Sequence, residues 1–189
     1  MSSISSEPCW HSRGYLPHLV VPGAIYVVTF RLADSLPAAA RDREGPKFPA
    51  LLDAGRGSCV LGIPAVADRL LQILLEHNGT RYRLHAWVIM PNHVHVLVEP
   101  LAGWSLSAIL HRWKRVSAAE INRAMGKRGR LWQPESYDRV IRDERHFAQV
   151  VEYIHLNAPK AGLVERAEEY RWSSARLWRE GSLPRYAAG

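Results

Sequence analysis

The sequence predicts an α+β domain in which helices cover an antiparallel sheet, in the manner of ferredoxin-like folds. Three observations carry this expectation. Tyr82 to Ile89 and His93 to Glu99 are rich in β-branched, aromatic and alternating residues, and a Met90-Pro91-Asn92 turn separates them as in a hairpin. Three other segments place apolar residues at helical spacing. The resulting order is strand, helix, hairpin, helix, strand, helix. With 189 residues, 47% of them hydrophobic and 23% charged, the chain can bury a core without disulfides or structural metal.

In chain order, residues 1–22 are polar and then rich in Pro and His, including Pro8, Pro17 and Pro22. They read as an irregular arm before a domain over residues 23–180, with 181–189 as a tail. Ala24 to Leu32 (AIYVVTFRL) reads as a strand. Residues 33–63, broken by Pro37, Pro46, Pro49, Gly55 and Gly57, read as loops with a short helix. Residues 43–62 suggest no role. Pro64 opens a helix at the position where its missing N–H costs nothing. Val66, Leu70, Ile73 and Leu74 form its stripe, and Gly79 stops it. Ser105 is a natural N-cap for a helix to about Met125, with Leu106, Ile109, Leu110, Trp113 and Val116 on its apolar face. Leu131 to Ile141 supplies a fourth strand. Asp143 caps a last long helix, striped by Phe147, Val150, Val151 and Ile154, which Pro159 is expected to end.

The net charge is +7 and the sequence pI about 9.8, a surplus that favours a polyanionic partner, nucleic acid first. Two cysteines, Cys9 and Cys59, exclude a disulfide framework and a cysteine-based zinc site. The first residues have no basic n-region or apolar h-region, and no apolar run approaches the ~20 residues of a membrane span. The expected setting is the cytoplasm, at the nucleoid.

The sharpest motif is Pro91-Asn92-His93-Val94-His95-Val96-Leu97-Val98. Strand side chains alternate faces, so Val94, Val96 and Val98 share the core face while His93 and His95 share the other. Two imidazoles ~6.5 Å apart along a strand can converge on one metal ion. The plain alternative is a pair of half-exposed histidines on a sheet surface. On the last helix, Tyr153 and Asn157 are four residues apart and face the same way. An amide oxygen suits a hard cation such as Mg²⁺ or Mn²⁺, and a phenol one turn away can act as nucleophile. Here the plain alternative is a core-edge tyrosine and a capping asparagine. His146 extends the same face as a candidate base. Between His111 and Arg130, seven basic residues stand against one acid, Glu120. Arg112, Lys114, Arg115, Lys127, Arg128, Arg130, Trp132 and Arg142 are the expected DNA-binding set, in which cations track phosphates and aromatics stack bases. Trp113 is read as core.

Taken together, MPNHVHVLVEP, WQPESYDRVIRD and HFAQVVEYIHLNAPKAGLV, in that order, resemble the REP-associated tyrosine transposases, a bacterial branch of the HUH single-tyrosine transposases. WHSRGYLPHLVVPGAIYVVTFRL and YRWSSARL fit the same pattern, so the resemblance spans nearly the whole chain. It implies an HUH nuclease fold, His93 and His95 as metal ligands, Asn157 as the third ligand and Tyr153 as nucleophile. It further implies cleavage and joining of single-stranded DNA beside palindromic hairpin repeats, with a divalent metal, through a 5′-phosphotyrosine, by a monomer or homodimer. Family members commonly read Asn-Pro-Val-Lys where this chain reads Asn157-Ala158-Pro159-Lys160, a shift expected to alter the helix end around Asn157. Two competing readings are a domesticated hairpin-binding protein with little cleavage and an unrelated metallohydrolase that activates water. The absence of an acidic cluster disfavours the second.

Overall fold

A computed structural model describes residues 23–35 and 58–181, and the backbone alone of residues 9–12 and 17–20. The core is a four-stranded antiparallel sheet formed by β3 (Tyr26–Arg31), β4 (Tyr82–Ile89), β5 (His93–Pro100) and β6 (Tyr137–Val140), in the order β4-β5-β3-β6. Helices α1 (Pro64–Leu75) and α2 (Leu106–Ala124) follow β3 and β5, which gives the ferredoxin-like succession expected from the sequence. Helix α3 (Glu144–Lys160) and the short α4 (Ala175–Arg179) complete the domain. Among the described residues, no helix is long and apolar enough to cross a membrane.

The two faces of the sheet are covered differently. Val28, Phe30, Val94, Val96 and Val98 point into a buried cluster with Leu70 and Leu74 of α1 and Ile109, Trp113 and Ile121 of α2. Trp113 is almost fully buried, meets Tyr82 edge-on at 5.0 Å and donates its indole N–H to the Tyr82 hydroxyl, which in turn donates to the Leu74 carbonyl. One side-chain chain thus ties α2, β4 and α1 together. Truncating a tryptophan buried on this scale to Ala costs about 3–5 kcal/mol. The opposite face carries a second cluster, in which Ala86, Val88, Met90 and Leu97 pack on Phe147, Val151, Ile154 and Ala158 of α3. Helix α3 lies on β4 and β5.

Several local expectations shift. Residues 9–12 and 17–20 are not irregular: they pair antiparallel as β1 and β2, a ribbon whose second strand lies beside β6. The fourth strand is confined to Tyr137–Val140, while Trp132 makes only an isolated bridge to Leu32. Residues 36–57, and with them most of the stretch without an assigned role, lie outside the described residues. Helix α3 runs through Pro159 to Lys160. A proline costs one helical hydrogen bond, and here it falls in the last turn. Gly162, with φ +68°, closes the helix: its N–H bonds to the Pro159 carbonyl and that of Leu163 to the Ala158 carbonyl. That pairing is a Schellman closure, and Gly162 is what the sequence offers for it.

Residues after α3 return to β4. The N–H of Ile89 bonds to the Trp172 carbonyl, the N–H of Trp87 to the Ser174 hydroxyl, and the Tyr170 hydroxyl donates to the Ile89 carbonyl. The Ser174 hydroxyl also meets His155 of α3 at 2.9 Å. Burial pushes the His155 imidazole down to about 4, so it stays neutral near pH 7. The outer edge of β4 and the back of α3 are therefore tied by the same segment.

Candidate active site on the covered face of the sheet

His93 and His95 sit on the α3 face of β5, as strand alternation predicts, but they are not surface histidines. Their residues are only 1% and 2% exposed. The rings stand edge to face with centroids 4.7 Å apart. His93 Nδ1 lies 2.6 Å from the Asn92 side-chain oxygen. An amide oxygen only accepts, so Nδ1 carries the proton and the lone pair is on Nε2. His95 Nδ1 lies 2.7 Å from the hydroxyl of Thr29, its cross-strand neighbour on β3. The Nε2 atoms of both rings are buried and make no hydrogen bond to another described residue. Burial, reinforced by His95 and Arg31, holds the His93 imidazole well below its ordinary range, so it is neutral at physiological pH. A neutral imidazole fixed through Nδ1, with Nε2 as donor, is the state that binds metal. The donor set therefore fits a divalent ion. Among the described residues no third His, Cys, Asp or Glu joins the pair.

Tyr153 of α3 brings its ring to 5.3 Å from His95, again edge to face. Helix α3 places Phe147 against His85 near the start of β4, and Tyr153 against His95, whose ladder partner is Val88. The helix thus climbs the hairpin toward the Pro91 turn. Four residues of helix rise ~6 Å and two residues of strand ~6.6 Å. The turn after Tyr153 carries Asn157 further along that course. Asn157 is buried at 5% exposure, and its Nδ2 donates to the Tyr153 carbonyl at 2.7 Å. That bond orients the amide and leaves its oxygen as the acceptor. The displaced proline leaves this turn helical.

Three side chains at the site carry signals that sequence reading misses. Asn92 reads as a turn residue, Thr29 as one of many strand residues, and Arg31 as the end of a strand. The pairing of β3 with β5, which aligns Thr29 with His95 and Arg31 with His93, gives Thr29 and Arg31 their places, while Asn92 meets its own neighbour His93. Arg31, 6% exposed, adds a buried positive charge beside His93. His146 does not gain from the fold as a base. Its Nδ1 meets the backbone N–H of Arg142 at the start of α3, and seven residues of helix separate it from Tyr153, ~10 Å along the axis.

The expected DNA-binding set divides. Trp132 is a core residue and not a stacking platform: it is 4% exposed, edge-on to Phe30 at 4.9 Å, with its N–H on the Ser117 hydroxyl. The Lys114 ammonium donates to the carbonyls of Gln133, Pro134 and Glu135, so it anchors that loop instead of offering its donors to phosphate. Arg112 turns toward α1 and pairs with Glu76 at 2.9 Å. Arg115, Lys127, Arg128, Arg130 and Arg142 are exposed. A groove of about 510 Å³ runs between α2 and the loop before β6, with His111, Arg115 and Arg130 along it and Ser136 and Asp138 at the sheet edge.

Residues 63–157, which contain the hairpin, the His pair and Tyr153, match the family described as Transposase IS200 like. The chain belongs to that family. A REP-associated tyrosine transposase of Escherichia coli (strain K12) is 26% identical over 97 residues, 49% of this chain and 54% of the relative. The chain thus aligns with about half the length of that curated relative. The structure of a REP-associated tyrosine transposase bound to a REP hairpin superposes with a TM-score of 0.61 over 95% of this chain and 92% of the other, at 18% identity. At that identity the likeness concerns the fold. The family assignment is the one expected from MPNHVHVLVEP and the Tyr153 helix, and the four-stranded antiparallel sheet with flanking helices is the fold it implied.

Proposed function

We propose that this transposase-family chain nicks and rejoins single-stranded DNA beside a hairpin, using Tyr153 as nucleophile and a divalent cation held by His93, His95 and Asn157. The observation that carries this reading is the approach of the Tyr153 ring to the His pair on one buried face of the sheet. Mg²⁺ or Mn²⁺, when bound, supplies Lewis-acid polarisation of the scissile phosphate. The protein does the rest. Asn92 and Thr29 lock the two imidazoles through Nδ1. Arg31 adds positive charge where the phosphate gains negative charge. The Tyr153 oxygen forms a bond to phosphorus as the P–O3′ bond breaks. The phenol proton passes to solvent and the leaving oxygen takes one up as a 3′-hydroxyl. A 5′-phosphotyrosine remains, so one phosphoester has replaced another and an incoming 3′-hydroxyl can reverse the step without ATP. The hairpin partner is supported by the REP hairpin held in the superposed structure.

The test is covalent capture. A labelled, hairpin-flanked single strand incubated with the protein and Mg²⁺ or Mn²⁺ is expected to yield a protease-sensitive band of low mobility on a denaturing gel. Cleavage without that band returns the water-activating reading. Binding without cleavage on every hairpin substrate returns the binding-protein reading.

Lys127, Arg128 and Arg130 lie in an exposed loop that starts at Gly126, which has φ +61°. Replacing all three by Ala is expected to weaken DNA binding and to flatten its log–log salt dependence by roughly 0.7 per lost single-strand contact. Affinity measured across a salt series reads this directly, and an unchanged slope removes the loop from the interface.

A further inference from the structure

Helix α3 covers β4 and β5, but the sheet continues past it through β3 to the edge strand β6. On that continuation Tyr137 pairs with Thr29, which itself pairs with His95, so Tyr137 lies on the same face as the His pair. Tyr137 is 46% exposed, the largest aromatic exposure among the described residues. Its neighbour on that face, Arg139, is also exposed and holds its guanidinium 5.9 Å from the Tyr137 ring centroid. Strand alternation sends the intervening Asp138 to the other side, where it and Ser136 line the basic groove along α2. One four-residue edge strand therefore borders both the groove and the site face.

From this we propose that Tyr137 is a stacking platform for a nucleobase. It holds an unpaired nucleotide near the scissile phosphate on the site face, and Arg139 backs the ring and meets the adjoining phosphate. This rests on the single-stranded DNA reading above and adds a base subsite to it. An exposed aromatic ring with a cation beside it is what sequence-tolerant single-strand binding uses. Solubility alone gives no reason to expose an aromatic beside a buried catalytic face. Tyr137 is two strands from His95, ~10 Å at the usual strand spacing. It thus suits a flanking nucleotide and not the attacked phosphorus.

The experiment uses the full chain with Tyr153→Phe, so that DNA is bound and not cut. Hairpin-flanked oligonucleotides carry the fluorescent base 2-aminopurine at successive unpaired positions. One position is expected to be quenched on binding. Adding Tyr137→Ala should abolish that quenching and weaken affinity about tenfold, whereas Tyr137→Phe should preserve both. Tyr137 sits exposed on an edge strand, so the Ala variant should melt near the parent. Quenching that survives Tyr137→Ala, or is lost in Tyr137→Phe, overturns the proposal. Binding with no quenched position also overturns it and leaves the nuclease reading standing. A protein that binds no single-stranded DNA overturns both.

Discussion

Tyr153→Phe is expected to eliminate nicking and the covalent protein–DNA band, a loss on the order of 10³-fold or more, with DNA affinity near that of the parent. The substitution removes one oxygen and keeps the ring that packs on His95. Stability should change little, because the half-buried Tyr153 sits at the margin of the cluster held by Phe147, Val151 and Ile154. The measurement is single-turnover cleavage of a labelled hairpin-flanked strand, with the melting temperature followed in parallel. A variant that still forms the band has its nucleophile elsewhere. Tyr137 then stands next in line, since it shares the face, although it lies across β3 from His95 where the Tyr153 ring is 5.3 Å away.

His95→Ala and His93→Ala are each expected to reduce metal-dependent cleavage at least about 100-fold, the scale seen even when only an outer partner of a ligand is lost. Their burial changes what strand alternation alone suggests about folding. Both rings are buried, and each deletion leaves a hole and strands a polar partner, Thr29 or Asn92. A destabilisation of about 1–3 kcal/mol is expected, within the reach of a folded protein. Two readouts keep the metal assignment testable. Thermal melting of the parent should shift upward on adding Mn²⁺, and that shift should vanish in either variant. Thr29→Val, which leaves both rings in place, should retain part of the activity. A full Mn²⁺ shift in His95→Ala would remove that residue from the ligand set.

The hairpin from Tyr82 to Pro100 is legible in the sequence because its alternation and its Pro-Asn turn are local features, and the caps of α2 and α3 are legible because Ser105 and Asp143 act within one turn. What escapes the sequence is register. Thr29 and His95 are 66 residues apart, and a slip of one position would turn Thr29 and Arg31 away from the site. Burial escapes it too. Lys114, Arg112 and Trp132 have the composition of a DNA-binding face, yet loop carbonyls, Glu76 and Phe30 respectively claim them. The exposed cations that remain, Arg115, Lys127, Arg128, Arg130 and Arg142, have the same side-chain chemistry as Lys114 and Arg112, and only position separates them.

The return of residues 170–174 to β4 has a further consequence. Helix α3 is held at its entry by the Ile141 N–H on the Ile25 carbonyl, and at its far end by the chain that bonds Ile89, Trp87 and His155. On the proposed reading, nucleophile and imidazoles come from one polypeptide, at a separation set within it. If one copy supplies the whole centre, the specific rate of nicking is expected to stay constant as enzyme concentration is diluted. A centre that borrowed its tyrosine from another copy would instead lose specific activity with dilution, and an equimolar mixture of Tyr153→Phe with His95→Ala would regain activity that neither variant has alone.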